Sequence, residues 1–108
     1  MHIEGRAFEW YDSQLVREHA AEFKADMIIV DGPMSSSWRM ARYPALPVLR
    51  DFLADDFTIV LDDINRKDEL CIASSWSKMY KLSLSVMYVR GNVGILRPRS
   101  TLAKYNIC

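Results

Sequence analysis

Phe57-Thr58-Ile59-Val60-Leu61-Asp62-Asp63-Ile64-Asn65-Arg66 is an unbroken apolar run that stops at two carboxylates and passes straight into a helix-start signal. Apolar residues on both faces mark a central strand of a parallel sheet, and the C-terminal end of such a strand is where open α/β sheets place ligands. Ala25-Asp26-Met27-Ile28-Ile29-Val30-Asp31-Gly32-Pro33 repeats the pattern, an apolar run closed by an aspartate and turn residues. Two such runs joined through a helical segment make a βαβ unit, whose parallel strands end on one edge of the sheet. Asp31, Asp62 and Asp63 are therefore expected on one rim.

The other elements follow from period and punctuation. Leu15, Val16, Ala20 and Phe23 recur at helical spacing between Tyr11 and Phe23, with Asp12 or Ser13 available as N-cap. His19, on or beside that stripe, reads as a structural histidine. Gly32-Pro33 and the serine run 35–37 predict a loop reaching Arg42, in which Trp38, Arg39 and Arg42 are either exposed loop residues or hold an anionic or planar ligand. Pro44 and Pro47 bracket a helix start, and Leu46, Leu49, Phe52 and Leu53 supply its buried stripe to about Ala54. Beyond the central strand, Asn65 can cap a helix with Asp68 and Glu69 in its first turn, Lys78 and Lys81 in its last, and Ile72, Ala73, Trp76, Met79 and Tyr80 on its core face. From Leu82 to Tyr88 the period changes to alternation. Gly91-Asn92 marks a tight turn, and Val93–Arg97 returns until Pro98 stops it, an antiparallel hairpin. Residues 99–108 read as a loose tail. The expected fold is α/β: two parallel strands, a closing hairpin and three helices in one domain.

Composition narrows the classes of function. The 108 residues are half hydrophobic with a formal charge of zero, which suits a globular domain and argues against disorder. No apolar run approaches a membrane span and no signal-peptide core opens the chain, so a cytoplasmic protein without a membrane partner is expected. Cys71 falls in a predicted helix and Cys108 ends the chain, which implies reduced thiols and neither a disulfide framework nor a zinc site. Ile3-Glu4-Gly5-Arg6 is the tetrapeptide of an engineered protease site and reads equally as the end of a preceding strand. Residues 1–69 hold all 14 acidic residues, whereas residues 76–108 hold six basic residues and no acid. Two such halves within one fold neutralise each other, so a nucleic-acid partner, which would use Arg90, Arg97, Arg99 and Lys104, is not expected.

The order of these motifs carries a resemblance. A strand ending Asp-Gly-Pro, a loop, an Arg-Tyr-Pro-Ala-Leu-Pro helix and a strand ending Leu-Asp-Asp are followed by Arg66, by Glu69 and Trp76 in a helix, and by a closing hairpin. Over residues 8–97 this resembles the C-terminal half of class I S-adenosylmethionine-dependent methyltransferases, in particular bacterial members with an Asp-Gly-Pro loop and an Asp-Asp-x-x-Arg turn. Glu9-Trp10-Tyr11-Asp12 is similar to their segment before the helix that precedes the Asp-Gly-Pro strand.

The resemblance implies a partial Rossmann-like sheet. In that family a glycine-rich loop after the first strand and an acidic residue ending the second hold S-adenosylmethionine; neither motif is in this sequence, so no cofactor is expected on the isolated chain. By analogy with metal-dependent O-methyltransferases, Asp31, Asp62 and Asp63 match the positions that hold a divalent cation such as Mg²⁺, although many relatives carry Asn where Asp63 stands. Asp31, Asp62 and Arg66 are the candidate catalytic residues. Alternatively, Asp63 caps the helix and Arg66 pairs with Asp31 or Asp62. The expectation is a methyltransferase-like C-terminal fragment that is not catalytic alone; the rival is a free-standing oligomerising or ligand-binding module. In both cases apolar residues on both faces of two strands imply a partner, either the missing half or a second copy, at Met27, Ile29, Ile59 or their alternates.

Overall fold

A computed structural model describes residues 1–22, 24–34, 39–88 and 91–99. Strands β1 (His2–Ile3) and β2 (Arg6–Ala7) form a short hairpin turned by Glu4 and Gly5, both at positive φ. Helix α1 (Ser13–Ala20) starts on Asp12, whose carboxylate accepts from the N–H groups of Gln14 and Leu15. Strand β3 (Ala25–Val30), helix α2 (Ala45–Leu49) and a 3₁₀ turn (Arg50–Phe52) lead into β4 (Leu53–Asp62), then α3 (Lys67–Met79), β5 (Leu82–Tyr88) and β6 (Asn92–Pro98).

The main sheet runs β3-β4-β6-β5. Strands β3 and β4 are parallel, with Ile28 opposite Ile59 and Val30 opposite Leu61; β6 is antiparallel to both of its neighbours. The closing hairpin thus docks through its second strand. Gly94 helps to admit it, because a Cβ there would lie 2.9 Å from Cδ1 of Ile64, which packs into the core.

The core lies on one face of this sheet. Ile59, Leu61 and Leu96 meet Leu46 of α2 and Ile72, Ala73 and Trp76 of α3, all essentially inaccessible to solvent. Helix α1 lies beside α2 at the β3 edge and buries none of its residues. Between α1, β3 and the α2–β4 connection runs an apolar groove of about 640 Å³ lined by Leu15, Val16, Ile28, Leu49 and Leu53. No helix covers the opposite face among the described residues. There Met27 is 56% and Ile29 69% exposed, beside half-buried Thr58, Val60, Val93 and Ile95. Ile59, expected as a contact residue, is fully buried instead, because it pairs with Leu96 on the helix-covered side.

Several boundaries differ from the sequence expectation. Leu53 and Ala54 open β4 rather than close a helix, since the helical segment tightens into a 3₁₀ turn and the chain extends from Leu53. Asn65 does not cap α3: the N-cap residue is Arg66, with no side-chain cap bond, and Asp63 does not cap it either. Met79, expected on the core face, is 46% exposed, and His19 is exposed as well. Cys71 is an exposed free thiol. Phe23, Trp38, Arg90, Lys104 and Cys108 lie outside the described residues, as does the predicted tail except for Arg99. No helix among the described residues is long and apolar enough to cross a membrane.

Candidate functional site

Parallel pairing of Val30 with Leu61 brings the ends of β3 and β4 level, so the residues that follow share one rim. Asp31 leaves β3 and Asp62 ends β4. Asp63 turns the chain with φ +59°, a left-handed conformation that aspartate tolerates better than most residues, and its N–H donates to Oδ1 of Asp62 at 2.9 Å. One carboxylate oxygen from each of Asp31, Asp62 and Asp63 falls within 4.8 Å of the others. These three predicted residues are thus brought together. Arg66 pairs with Asp63 at 3.6 Å, rather than with Asp31 or Asp62 as the alternative held.

The residue that organises the rim is Arg42. Its side chain is 4% exposed, which corrects the exposed-loop expectation. Nε donates to the carbonyl of Pro33 at 3.1 Å, and Nη1 donates to the carbonyl of Asp62 at 3.2 Å and to Oδ2 of Asp63 at 3.3 Å. Nη2 lies 3.8 Å from Oδ1 of Asp31. One planar fork therefore spans the loop after β3 and the turn after β4, a geometry that arginine has and lysine lacks.

Helix α3 holds the Arg42 segment from behind. The N–H of Met40 donates to Oδ2 of Asp68 at 3.0 Å, and Nε1 of Trp76 donates to the carbonyl of Tyr43 at 3.2 Å. Between them Glu69, 1% exposed, sets Oε1 at 3.9 Å from Nη1 of Arg42, while its Oε2 is buried without a hydrogen-bond partner among the described residues. Glu69 stands three, four and seven residues before Ile72, Ala73 and Trp76. The helical spacing that marks the core stripe therefore includes it, and this was the available signal for a buried acid.

On the far side of this segment the hydroxyl of Tyr43 lies 3.3 Å from both carboxylate oxygens of Glu4 and 3.1 Å from Sδ of Met79, while its ring stacks on Phe8 at 5.2 Å. Burial, reinforced by the charge of Glu4, pushes the Tyr43 pKa up to about 12. Tyr80 is raised as well, again chiefly by burial. Residues 1–7 thus meet the body of the fold through Glu4 and Ile3.

Carboxylate oxygens are hard donors of the type that Mg²⁺ or Ca²⁺ takes, and the buried Oε2 of Glu69 has no hydrogen-bond partner among the described residues. Formally, Asp31, Asp62, Asp63 and Glu69 bring four negative charges and Arg42 and Arg66 return two, so the rim fits a divalent ion in charge as well as in donor type. Comparison with known protein families, curated proteins and solved structures finds no match to this chain.

Proposed function

We propose that this chain is a methyltransferase-like C-terminal half, a partial Rossmann-like sheet whose carboxylate rim binds a divalent cation and which is not catalytic by itself. The observation that carries this is the convergence of Asp31, Asp62 and Asp63 at the level ends of two parallel strands. The closing hairpin and the position of Arg66 agree with the same resemblance. Asp31, Asp62 and Asp63 would hold the ion, and Arg66 would orient Asp63. A bound divalent ion supplies a Lewis acid for a hydroxyl to be methylated. The sequence has no strand followed by a glycine-rich loop and a helix, so S-adenosylmethionine would need residues from elsewhere. A cytoplasmic location goes with this assignment.

Melting curves test the cation site. Mg²⁺ or Ca²⁺ added to the purified chain should raise the melting temperature, since an ion that binds only the folded state stabilises it by mass action. Equal shifts in the wild type and in Asp62→Asn would mark the effect as nonspecific and remove the site. Calorimetry with S-adenosylmethionine should give no heat of tight binding; a dissociation constant in the low micromolar range would overturn the fragment assignment.

Self-association supplies the second function, favoured by the open β3 edge and the exposed Met27 and Ile29. An unpaired edge beside an apolar face invites another strand. A homodimer joined there should scatter light as twice the chain mass at micromolar concentration, and Ile29→Lys should return it to monomer. A monodisperse wild-type monomer would remove this function and leave the cation site untouched.

A further inference from the structure

An acidic rim would be expected to draw its counter-charge from solvent, yet here a guanidinium is built into it. Arg42 is nearly inaccessible and is held in place by two backbone carbonyls, those of Pro33 and Asp62, as well as by Asp63. Behind it Glu69 is more deeply buried still, with one oxygen 3.9 Å from the guanidinium and the other without a hydrogen-bond partner among the described residues. A buried carboxylate oxygen in that condition is costly and is tolerated where a neighbouring charge compensates it. Arg42 therefore faces anions on both sides: Glu69 inward, Asp31 and Asp63 outward.

We propose that Arg42 is the built-in counter-cation of the rim, that Glu69 is the buried anion that holds it there, and that the pair sets how strongly the rim takes a divalent cation. This rests on the rim being the cation site proposed above. The formal charge left by the six residues is two negative. Arg42→Gln leaves three, Glu69→Gln leaves one, and the double variant returns to two while abolishing the pair. A unit charge about 4 Å from a divalent ion is worth roughly thirtyfold in affinity at the dielectric constant of water, and one about 8 Å away roughly fivefold. Charge setting and mechanical bracing thus make opposite predictions for the same substitutions.

The experiment is a titration with Mn²⁺, followed by the paramagnetic resonance of the free ion at fixed ionic strength, on the wild type and these three variants. Circular dichroism checks that each is folded. Arg42→Gln should bind about tenfold more tightly than wild type, Glu69→Gln about tenfold more weakly, and the double variant within about threefold of wild type. If Arg42 only braces the two loops, Arg42→Gln and the double variant both lose binding, and the proposal is overturned. Where the wild type binds and Arg42→Gln binds no more tightly, the proposal falls and the cation site stands. Binding by Arg42→Gln but not by wild type upholds Arg42 as counter-cation and removes the native rim as a cation site. No binding by either removes both. Should Arg42→Gln fail to fold, Glu69→Gln decides: binding about tenfold weaker than wild type upholds the pair, and an unchanged affinity would overturn the proposal.

Discussion

The two faces of one sheet are built from the same strands and from residues of nearly equal hydrophobicity, yet only one of them is a core. Ile59 and Leu61 are sealed under α2 and α3, whereas Met27 and Ile29, on the adjoining strand, remain largely open to solvent. Alternation of side chains assigns each residue to a face, but hydrophobicity alone does not decide which face receives the helices. The stabilising energy of this fold should therefore be lopsided, with substitutions of equal chemistry giving unequal losses.

The largest loss should follow Trp76→Ala. The indole is fully buried among Leu46, Ile59 and Leu96 and also donates to the carbonyl of Tyr43. Removing it leaves a cavity and an unpaired carbonyl, at a cost of about 3–5 kcal/mol in urea unfolding. A loss below 1 kcal/mol would mean that the covered face is not the core. The paired comparison is Ile59→Ala against Ile29→Ala: the first should cost about 2–4 kcal/mol and the second, in the monomer, less than about 0.5 kcal/mol. Equal losses would erase the distinction between the faces and point to a partner on Ile29.

A smaller effect tests why the hairpin enters by its second strand. Gly94→Ala would place its methyl against the flexible end of Ile64, close enough that Ile64 must shift. Overpacking of this kind should cost about 1 kcal/mol. No loss would show that room for Ile64 is not what Gly94 provides.

Much of this arrangement was legible in the residues. The parallel pair, the hairpin and the convergence of Asp31, Asp62 and Asp63 follow from two apolar runs with aspartate ends and from one change of period. What escaped has local physical causes. Leu53 satisfies a helical stripe and a strand equally well, so period cannot date the switch from one to the other. The burial of Arg42 depends on carbonyls of Pro33 and Asp62, 9 and 20 residues away, and no local pattern announces a long-range acceptor. Glu69 was visible on the α3 stripe, but its value as an N-terminal charge masked its value as a buried anion. The β1–β2 hairpin rests on Glu4 and Gly5 at positive φ, in a stretch that reads equally as a processing site.

The smallest effect concerns the join between that hairpin and the covered face, and it is a dependence on pH. Tyr43 has its pKa raised from 10.0 to about 12 by burial and by the charge of Glu4, so the folded protein holds this proton more tightly than the unfolded chain does. Its contribution is fully present below pH 10 and is lost as pH rises from 10 through 12, where the unfolded tyrosine ionises first. Stability measured by urea unfolding should therefore fall across that window. Tyr43→Phe should lose about 1 kcal/mol at neutral pH, through the missing hydrogen bond to Glu4, and should show a shallower alkaline fall. Some slope should persist, because burial also raises Tyr80, which keeps its own proton above the ordinary tyrosine range. Glu4→Gln separates the two causes: with the charge gone and burial intact, the window should narrow from its upper end. An alkaline fall of equal slope in wild type and Tyr43→Phe would show that Tyr43 ionises in the folded state as readily as in the unfolded one, and that Glu4 does not reach it in solution.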